Sequence, residues 1–170
     1  MRASPCLGRV QKTLVQQANT GLGGYLDRPY VGIWDKKAKI HDILAENGLL
    51  FFCDYMNDDQ PYLISTPSGP LVNVPYTIEV NDFTFFHRRA MTTWDAARML
   101  KDQFDELYRE GAESARLMNI GLHPHVSGHP HRMPCFREFL SHARSRSDVW
   151  WTTREEISSW YLQNHHTHIG

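Results

Sequence analysis

Apolar residues recur along the chain with two spacings, one typical of helices and one typical of strands. The clearest helix pattern runs from Thr92 to Glu110, where Thr92 and Asp95 resemble a capping box and Gly111 marks the stop. The inward stripe of this helix consists of Ala97, Leu100, Phe104, Leu107 and Tyr108. The same reasoning predicts helices at Val10 to Ala18, at Lys39 to Glu46, at Pro134 to Ala143 and after a cap at Thr153.

Short apolar runs bounded by turn residues predict the strands. Leu49 to Cys53 is a continuous apolar run, which favours a strand buried on both faces of a parallel sheet. Three more strands are predicted at Leu71 to Tyr76, Leu117 to Leu122 and Asp148 to Trp151. The intervening segments are interpreted as a polar loop over 54–62, a turn at 66–70 and a loop over 123–132.

The order of these elements predicts an α/β fold with mainly parallel strands. Four strands make at most an arc, because a closed α/β barrel takes about 200 residues or more and this chain has 170. We therefore expect one domain that forms an incomplete barrel. Residues 1–27 show no convincing pattern, so the domain is assigned to residues 28–170.

Composition and charge narrow the class of protein. The net charge is −1 and the basic residues are scattered, so we expect no nucleic-acid partner and no membrane partner. No apolar run approaches the length of a membrane span, and the N-terminal residues do not resemble a secretory signal. Three widely spaced cysteines favour reduced thiols in the cytoplasm.

The first candidate for chemistry is His123, which comes where a predicted strand ends. The carboxyl ends of parallel strands carry the active site in such folds, and a neutral imidazole can move a proton near pH 7. Two other interpretations stay open, namely a polar loop of hydrogen-bonded histidines and a metal site that uses His123 with His125.

Acidic and polar residues supply the other candidates. A substrate-binding group is predicted after the strand at 49–53, and it comprises Asp54, Asn57, Asp58 and Asp59. A hydrated turn explains these residues equally well. Glu79 and Asp82 could reach the same carboxyl end of the predicted sheet, although capping of a helix or strand explains them too. Arg28, before a proline, could hold a carboxylate in a bidentate grip.

Five segments, taken in order, resemble one family. They are ILAENGLL (43–50), CDYMNDDQPY (53–62), LVNVPYTIEVND (71–82), NIGLHPHVSGHPHR (119–132) and VWWTTREEISSWY (149–161). The N-D-D-Q-P-Y and G-L-H-P-x-x-x-G-x-P-x-R motifs are the specific ones. The chain is similar, from about Arg28 onward, to the C-terminal portion of NodB-type polysaccharide deacetylases of the allantoinase-like branch.

The resemblance implies a distorted (β/α)7 barrel and a hydrolase that cleaves carbon–nitrogen bonds other than peptide bonds. Its substrate would be an amide or a cyclic amide, in a sugar or in allantoin-type compounds. Members bind zinc or a similar divalent ion through an aspartate and two histidines from early strands. The residue matching His123 protonates the leaving nitrogen, and an arginine from an R-P-x-G-W stretch, here the longer Arg28 to Trp34, orients acidic groups.

This sequence departs from the family in lacking a recognisable metal-binding segment. We therefore expect that the metal ligands are absent from this chain, and that it works with a missing N-terminal half or as a homo-oligomer. The leading hypothesis is a hydrolase in which His123, Asp54, Asp58 and Asp82 converge on one cleft. The alternatives are a non-catalytic remnant or interaction module, and a metal-binding protein built on the histidine-rich loop.

Overall fold

Helices and strands alternate along residues 12–17 and 40–167, which are the residues that the computed structural model describes. The strands are β1 Lys12–Gln17, β2 Phe51–Phe52, β3 Tyr62–Thr66, β4 Gly69–Asn73, β5 Leu117–Gly121 and β6 Val149–Thr152. The helices are α1 Ile40–Glu46, α2 Thr93–Glu110, α3 Pro124–Ser127, α4 Met133–Arg144 and α5 Arg154–Asn164, with a π-helical turn at Thr84–Arg88 and a 3-10 turn at His165–Thr167.

The chain divides into two compact units. The first comprises residues 1–17 and 77–151, and the second comprises residues 18–76 and 152–170. The assignment of residues 28–170 to a single deacetylase-like domain stays a prediction. Of the helices that the structure describes, none has both the length and the apolar character needed to cross a lipid bilayer.

The first unit is built on a sheet with the strand order β5-β1-β6. β1 runs parallel to β5, with Thr13 opposite Leu117 and Gln17 opposite Gly121. On the side of β5 that faces away from β1, Gly121 forms a parallel bridge with Asn81. The Gly121 amide donates to the Val80 carbonyl at 3.1 Å. This bridge brings the segment around residue 81 alongside the carboxyl end of β5.

The second unit contains a smaller sheet with the order β2-β4-β3. β2 is parallel to β4, whereas β3 and β4 form an antiparallel hairpin. The predicted turn at 66–70 closes this hairpin, and Gly69 has a φ of 124°, which a residue with a side chain rarely adopts. Partial sheets with both parallel and antiparallel pairs, covered by helices, confirm the α/β class and add an antiparallel strand, β3, that the sequence pattern did not predict.

The core of the first unit lies between α2, α4 and the sheet. Its fully buried members include Leu100 and Phe139, and Phe104 meets Phe139 edge to face at 6.0 Å. The predicted inward stripe of α2 is confirmed, since four of its five members are buried and Tyr108 packs at the edge of this core. Burial of these apolar faces therefore stabilises the unit that contains the candidate site.

Replacing Phe139 by alanine is expected to lower the free energy of unfolding by about 3–5 kcal/mol, because the removed ring leaves a cavity in a closely packed core. Urea denaturation of the purified chain measures this change. The matched control is Leu140→Ala at the half-buried neighbouring position, for which we expect a clearly smaller loss. Equal losses for the two variants would contradict this description of the core.

Three of the predicted helix ends agree with the structure. The Thr92 side chain accepts from the Asp95 amide at the start of α2. Thr153 and Glu156 form a complete capping box at the start of α5. Gly48, with a φ of 75°, follows α1 as a left-handed stop.

Three predictions of local structure are wrong. Lys12–Gln17, within the predicted helix at 10–18, is strand β1, because pairing with β5 outweighs local propensity. The run from Leu49 to Cys53 contains β2, which pairs in parallel with β4 as expected, but β2 has only two residues. Leu49 is 40% exposed, so the run is not buried on both faces. The expected loop at 123–132 contains the short helix α3, which begins with a proline at its first position.

Candidate active site

His123 lies just beyond the carboxyl end of β5 and forms the N-cap of α3. Asp82 comes directly after Asn81, the residue bridged to the last residue of β5. Neighbouring parallel segments that end at the same edge bring the residues after them together. The backbone pairing at Asn81 and Gly121 therefore places Asp82 next to His123, although 41 positions separate them in sequence.

The Asp82 carboxylate accepts three hydrogen bonds. Its Oδ1 lies 2.6 Å from His123 Nδ1, and its Oδ2 accepts the His123 backbone N–H at 2.7 Å. The Ser127 hydroxyl also donates to Oδ2. Asp82 is fully buried, while 22% of the His123 side chain stays exposed. A buried acid thus holds an imidazole that a substrate can still reach.

With Asp82 as a carboxylate, these contacts favour one tautomer of neutral His123. An ionised carboxylate only accepts hydrogen bonds, so the short contact to Asp82 requires a hydrogen on Nδ1. Nε2 is then the nitrogen with the lone pair, and it becomes a donor only when the ring is protonated. This is the arrangement needed for a histidine that takes up a proton and delivers it through Nε2.

The loop after His123 is held by its backbone and by Arg132. At Gly128, a β-carbon would come within 2.4 Å of the Pro124 carbonyl oxygen, so only glycine fits without a backbone shift. Arg132 donates to the Val126 carbonyl at 2.7 Å, and its guanidinium lies 4.7 Å from the centre of the Phe86 ring. The glycine and arginine of the G-L-H-P-x-x-x-G-x-P-x-R motif therefore keep α3 in place.

Cys135 lies behind this loop, where its thiol donates to the Arg132 carbonyl at 3.0 Å. Burial raises the pKa of the Cys135 thiol to about 11. A raised pKa lowers the fraction of reactive thiolate at neutral pH. Cys135 is therefore a packing residue and not a nucleophile of the site.

We expect Cys135 in the folded chain to react with iodoacetamide at pH 8 at least about a hundredfold more slowly than in the urea-unfolded chain. The pKa of about 11, against 9.0 for an ordinary thiol, accounts for a factor of about a hundred, and steric exclusion adds to it. Peptide mass spectrometry of time-quenched samples measures both rates. Equal rates would contradict the burial described here.

An exposed aromatic ring borders the imidazole. Phe83 is 39% exposed and stacks on His87 with ring centres 4.9 Å apart. The Phe83 ring centre lies 6.0 Å from that of His123, and the Arg88 guanidinium lies 5.9 Å from the Phe83 ring. The surroundings of the imidazole thus combine an apolar ring with basic side chains.

Two supporting residues near His123, namely Asn81 and Ser127, were not predicted from the sequence, whereas Gly128 was expected to fix the shape of the loop. Asn81 accepts the Phe83 amide at 2.8 Å, which shapes the backbone immediately after Asp82. Ser127 and Gly128 contribute the contacts given above. The motif spacing marked Gly128 as a fixed position, but no sequence signal distinguished Ser127 from an ordinary polar loop residue.

The predicted acidic loop at 54–59 lies in the second unit, and two of its members stabilise the loop itself. Asp58 Oδ1 accepts the amides of Asp59 and Gln60 at 2.8 and 3.0 Å, and Asn57 Oδ1 accepts the Tyr62 hydroxyl at 2.8 Å. Burial is the main reason that the pKa of Tyr62 is raised. The turn interpretation therefore holds for Asn57 and Asp58. An approach of Asp54 or Asp58 to His123 stays a prediction.

The remaining candidates have different outcomes. Glu79 is exposed. Arg28 lies outside the described residues, so its role stays a prediction.

Within residues 12–17 and 40–167, no three side chains of His, Cys, Asp or Glu come together as a metal site. Two imidazole pairs in the loop, His123–His125 and His129–His131, each have ring centres 5.7 Å apart. The described residues thus do not fit the zinc ion that the resemblance implies.

Comparisons with known proteins identify relatives of the chain. A protein of Schizosaccharomyces pombe described as "Putative polysaccharide deacetylase" is 36% identical over 126 residues. A probable polysaccharide deacetylase from Pseudomonas aeruginosa PAO1 matches with a TM-score of 0.68 and 35% identity over 72% of this chain. The solved structure of PuuE allantoinase matches with a TM-score of 0.69 and 35% identity over 74% of this chain. No family model matches the sequence.

The chain is therefore a relative of the polysaccharide deacetylases, and the resemblance noted in the sequence, including its allantoinase-like character, is confirmed. It covers only part of these relatives, namely 39% of the S. pombe protein and 42% and 43% of the two solved chains. The likeness to the two solved chains supports the fold of the part that they share with this chain.

Proposed function

We propose that this chain provides the proton-transfer part of a hydrolase that cleaves a carbon–nitrogen bond in an amide or cyclic amide. The observation that supports this most strongly is the contact of 2.6 Å between His123 Nδ1 and the buried Asp82 carboxylate. Position supports it too, since His123 follows the carboxyl end of a parallel strand, where α/β enzymes place their chemistry. In this proposal, the sheet of the first unit belongs to the C-terminal portion of a distorted (β/α)7 barrel.

The proposed step follows from the chemistry of amides. Water adds to the carbonyl carbon, and the carbon–nitrogen bond of the tetrahedral intermediate then breaks. The leaving nitrogen is a poor leaving group unless it receives a proton. Protonated His123 gives up its Nε2 hydrogen to that nitrogen, and Asp82 stabilises the imidazolium until the transfer. The products are a nitrogen compound and a carboxylic acid. When the amide is cyclic, the ring opens and both groups stay in one product molecule.

Two substrate classes follow from the relatives. An N-acetylated sugar would release acetate, and allantoin would open to an acid. In both reactions the leaving group is a nitrogen, which is why the same imidazole can serve either one. Phe83 is proposed to contact the ring of the substrate, because it is exposed and borders His123.

The test is a hydrolysis assay on the purified chain with N-acetylglucosamine oligomers and with allantoin. Each substrate is assayed with added zinc, with added cobalt and with a chelator, and the products are quantified as acetate or as ring-opened acid. We expect turnover of one class above the uncatalysed rate. Complete inactivity under all conditions would reject the hydrolase proposal for this chain and favour the non-catalytic remnant or interaction module.

A further inference from the structure

Asp82, His123 and Ser127 form a hydrogen-bonded group, called here the Asp82 cluster. Ser127 is its only member that lies outside the residues matched to the family motifs. It occupies a variable position in G-L-H-P-x-x-x-G-x-P-x-R, four residues after His123. Its side chain is buried, with 6% of the residue exposed, and its hydroxyl donates to Asp82 Oδ2. The partner of this buried hydroxyl is thus the same carboxylate that holds the His123 ring.

We propose that Ser127 is a positioning residue that keeps the Asp82 carboxylate oriented and thereby keeps His123 in the form protonated at Nδ1. A carboxylate held through Oδ1 alone can turn about its bond to the β-carbon. Two donors on Oδ2, the Ser127 hydroxyl and the His123 backbone N–H, define the plane of the group. With that plane defined, Oδ1 points at the ring.

The short helix α3 explains why Ser127 can reach Asp82. The Ser127 amide donates to the His123 carbonyl at 2.8 Å, so the two residues are one helical turn apart. Residues four apart lie on the same side of a helix, and both side chains here contact the same carboxylate. Pro124 at the first position and Gly128 after the last one restrict the helix to this single turn.

The burial of Asp82 makes the third donor important. A carboxylate removed from water requires hydrogen bonds to remain ionised. Each donor that is lost leaves the Asp82 carboxylate less firmly fixed in its orientation. Without the Ser127 hydroxyl, Oδ2 keeps one donor, and the carboxylate gains freedom to rotate. The population of the ring tautomer protonated at Nε2 is then expected to rise.

The experiment measures the tautomer of His123 directly. Long-range ¹H–¹⁵N correlation spectra of the folded chain, at a pH at which the ring is neutral, give the chemical shifts of Nδ1 and Nε2. His123→Gln identifies the resonances by their loss. In Ser127→Ala we expect the ratio of Nε2–H to Nδ1–H tautomers to rise about tenfold, the effect expected from losing one hydrogen bond to a charged group.

Two variants separate positioning from simple packing. Ser127→Thr keeps the hydroxyl and is expected to keep the wild-type ratio. Ser158→Ala is the matched control, because Ser158 is also buried and its hydroxyl donates to the Arg154 carbonyl at 2.7 Å, yet Ser158 has no contact with Asp82. If Ser127→Ala unfolds, Ser127→Cys keeps a weak donor and is expected to give an intermediate ratio.

An unchanged tautomer ratio in folded Ser127→Ala or Ser127→Cys would overturn this inference. Its catalytic consequence rests on the proposed function: in an active chain, Ser127→Ala is expected to lower kcat about tenfold with KM unchanged, and Ser127→Thr to restore it. The two ideas fail separately. A wild-type chain without turnover rejects the hydrolase, whereas the spectra still decide whether Ser127 positions Asp82.

Discussion

Replacing His123 by glutamine is expected to lower the rate of amide hydrolysis by about 10²–10⁴-fold, the usual contribution of a general acid. Glutamine is comparable in length and polar, but its amide cannot take up a proton and release it near neutral pH. The loss should appear in kcat, because protonation of the leaving nitrogen occurs in the transition state. Steady-state rates on whichever substrate class the chain hydrolyses provide the measurement.

The matched control for His123→Gln is His125→Gln in the same loop. His125 is exposed, and its ring centre lies 5.7 Å from that of His123, yet it has no contact with Asp82 in the structure. We expect His125→Gln to retain nearly full activity. If His125→Gln were the inactive variant and His123→Gln the active one, the assignment of the proton donor would be wrong.

Replacing Asp82 by asparagine is expected to lower kcat by up to the factor of about 10²–10⁴ expected for His123→Gln, because Asp82 acts through that imidazole. The amide has one accepting atom, whereas the carboxylate receives bonds on both oxygens. If the amide nitrogen faces His123 Nδ1, the ring hydrogen moves to Nε2. If it faces the His123 backbone N–H, two donors oppose each other, which costs about 1–3 kcal/mol.

Steady-state kinetics and urea denaturation together check the Asp82→Asn prediction. The control is Asp148→Asn, since Asp148 is exposed in the same unit and accepts the Tyr108 hydroxyl at 2.9 Å. That variant should leave kcat unchanged and lower the free energy of unfolding by less than Asp82→Asn does. A fully active Asp82→Asn chain would show that the contact to His123 has no part in the reaction.

The longer helices α2, α4 and α5 could be predicted because their signals are local. A cap at Thr92, a cap at Thr153 and a stripe such as that of α2 each lie within a few turns of one segment. His123 was predicted for a similar reason, since it follows directly on the apolar run that becomes β5. The family resemblance was likewise carried by short contiguous motifs.

The partner of His123 could not be chosen from the sequence alone. Asp54, Asp58 and Asp82 each followed a predicted strand, and each had the right chemistry. The choice depends on which segment pairs with the end of β5, and the bridge between Asn81 and Gly121 makes that segment the one before Asp82. The same kind of pairing turned residues 12–17 into a strand against their local pattern.

By itself, the sequence determined the capped starts of α2 and α5, the α/β class and the imidazole at the end of a strand. The tertiary structure alone decided that Asp82 binds that imidazole and that Ser127 joins them. The physical reason is the range of the interactions. Capping and amphipathic spacing act within a few residues, whereas hydrogen bonding to a buried carboxylate depends on backbone pairing between segments that are distant in sequence.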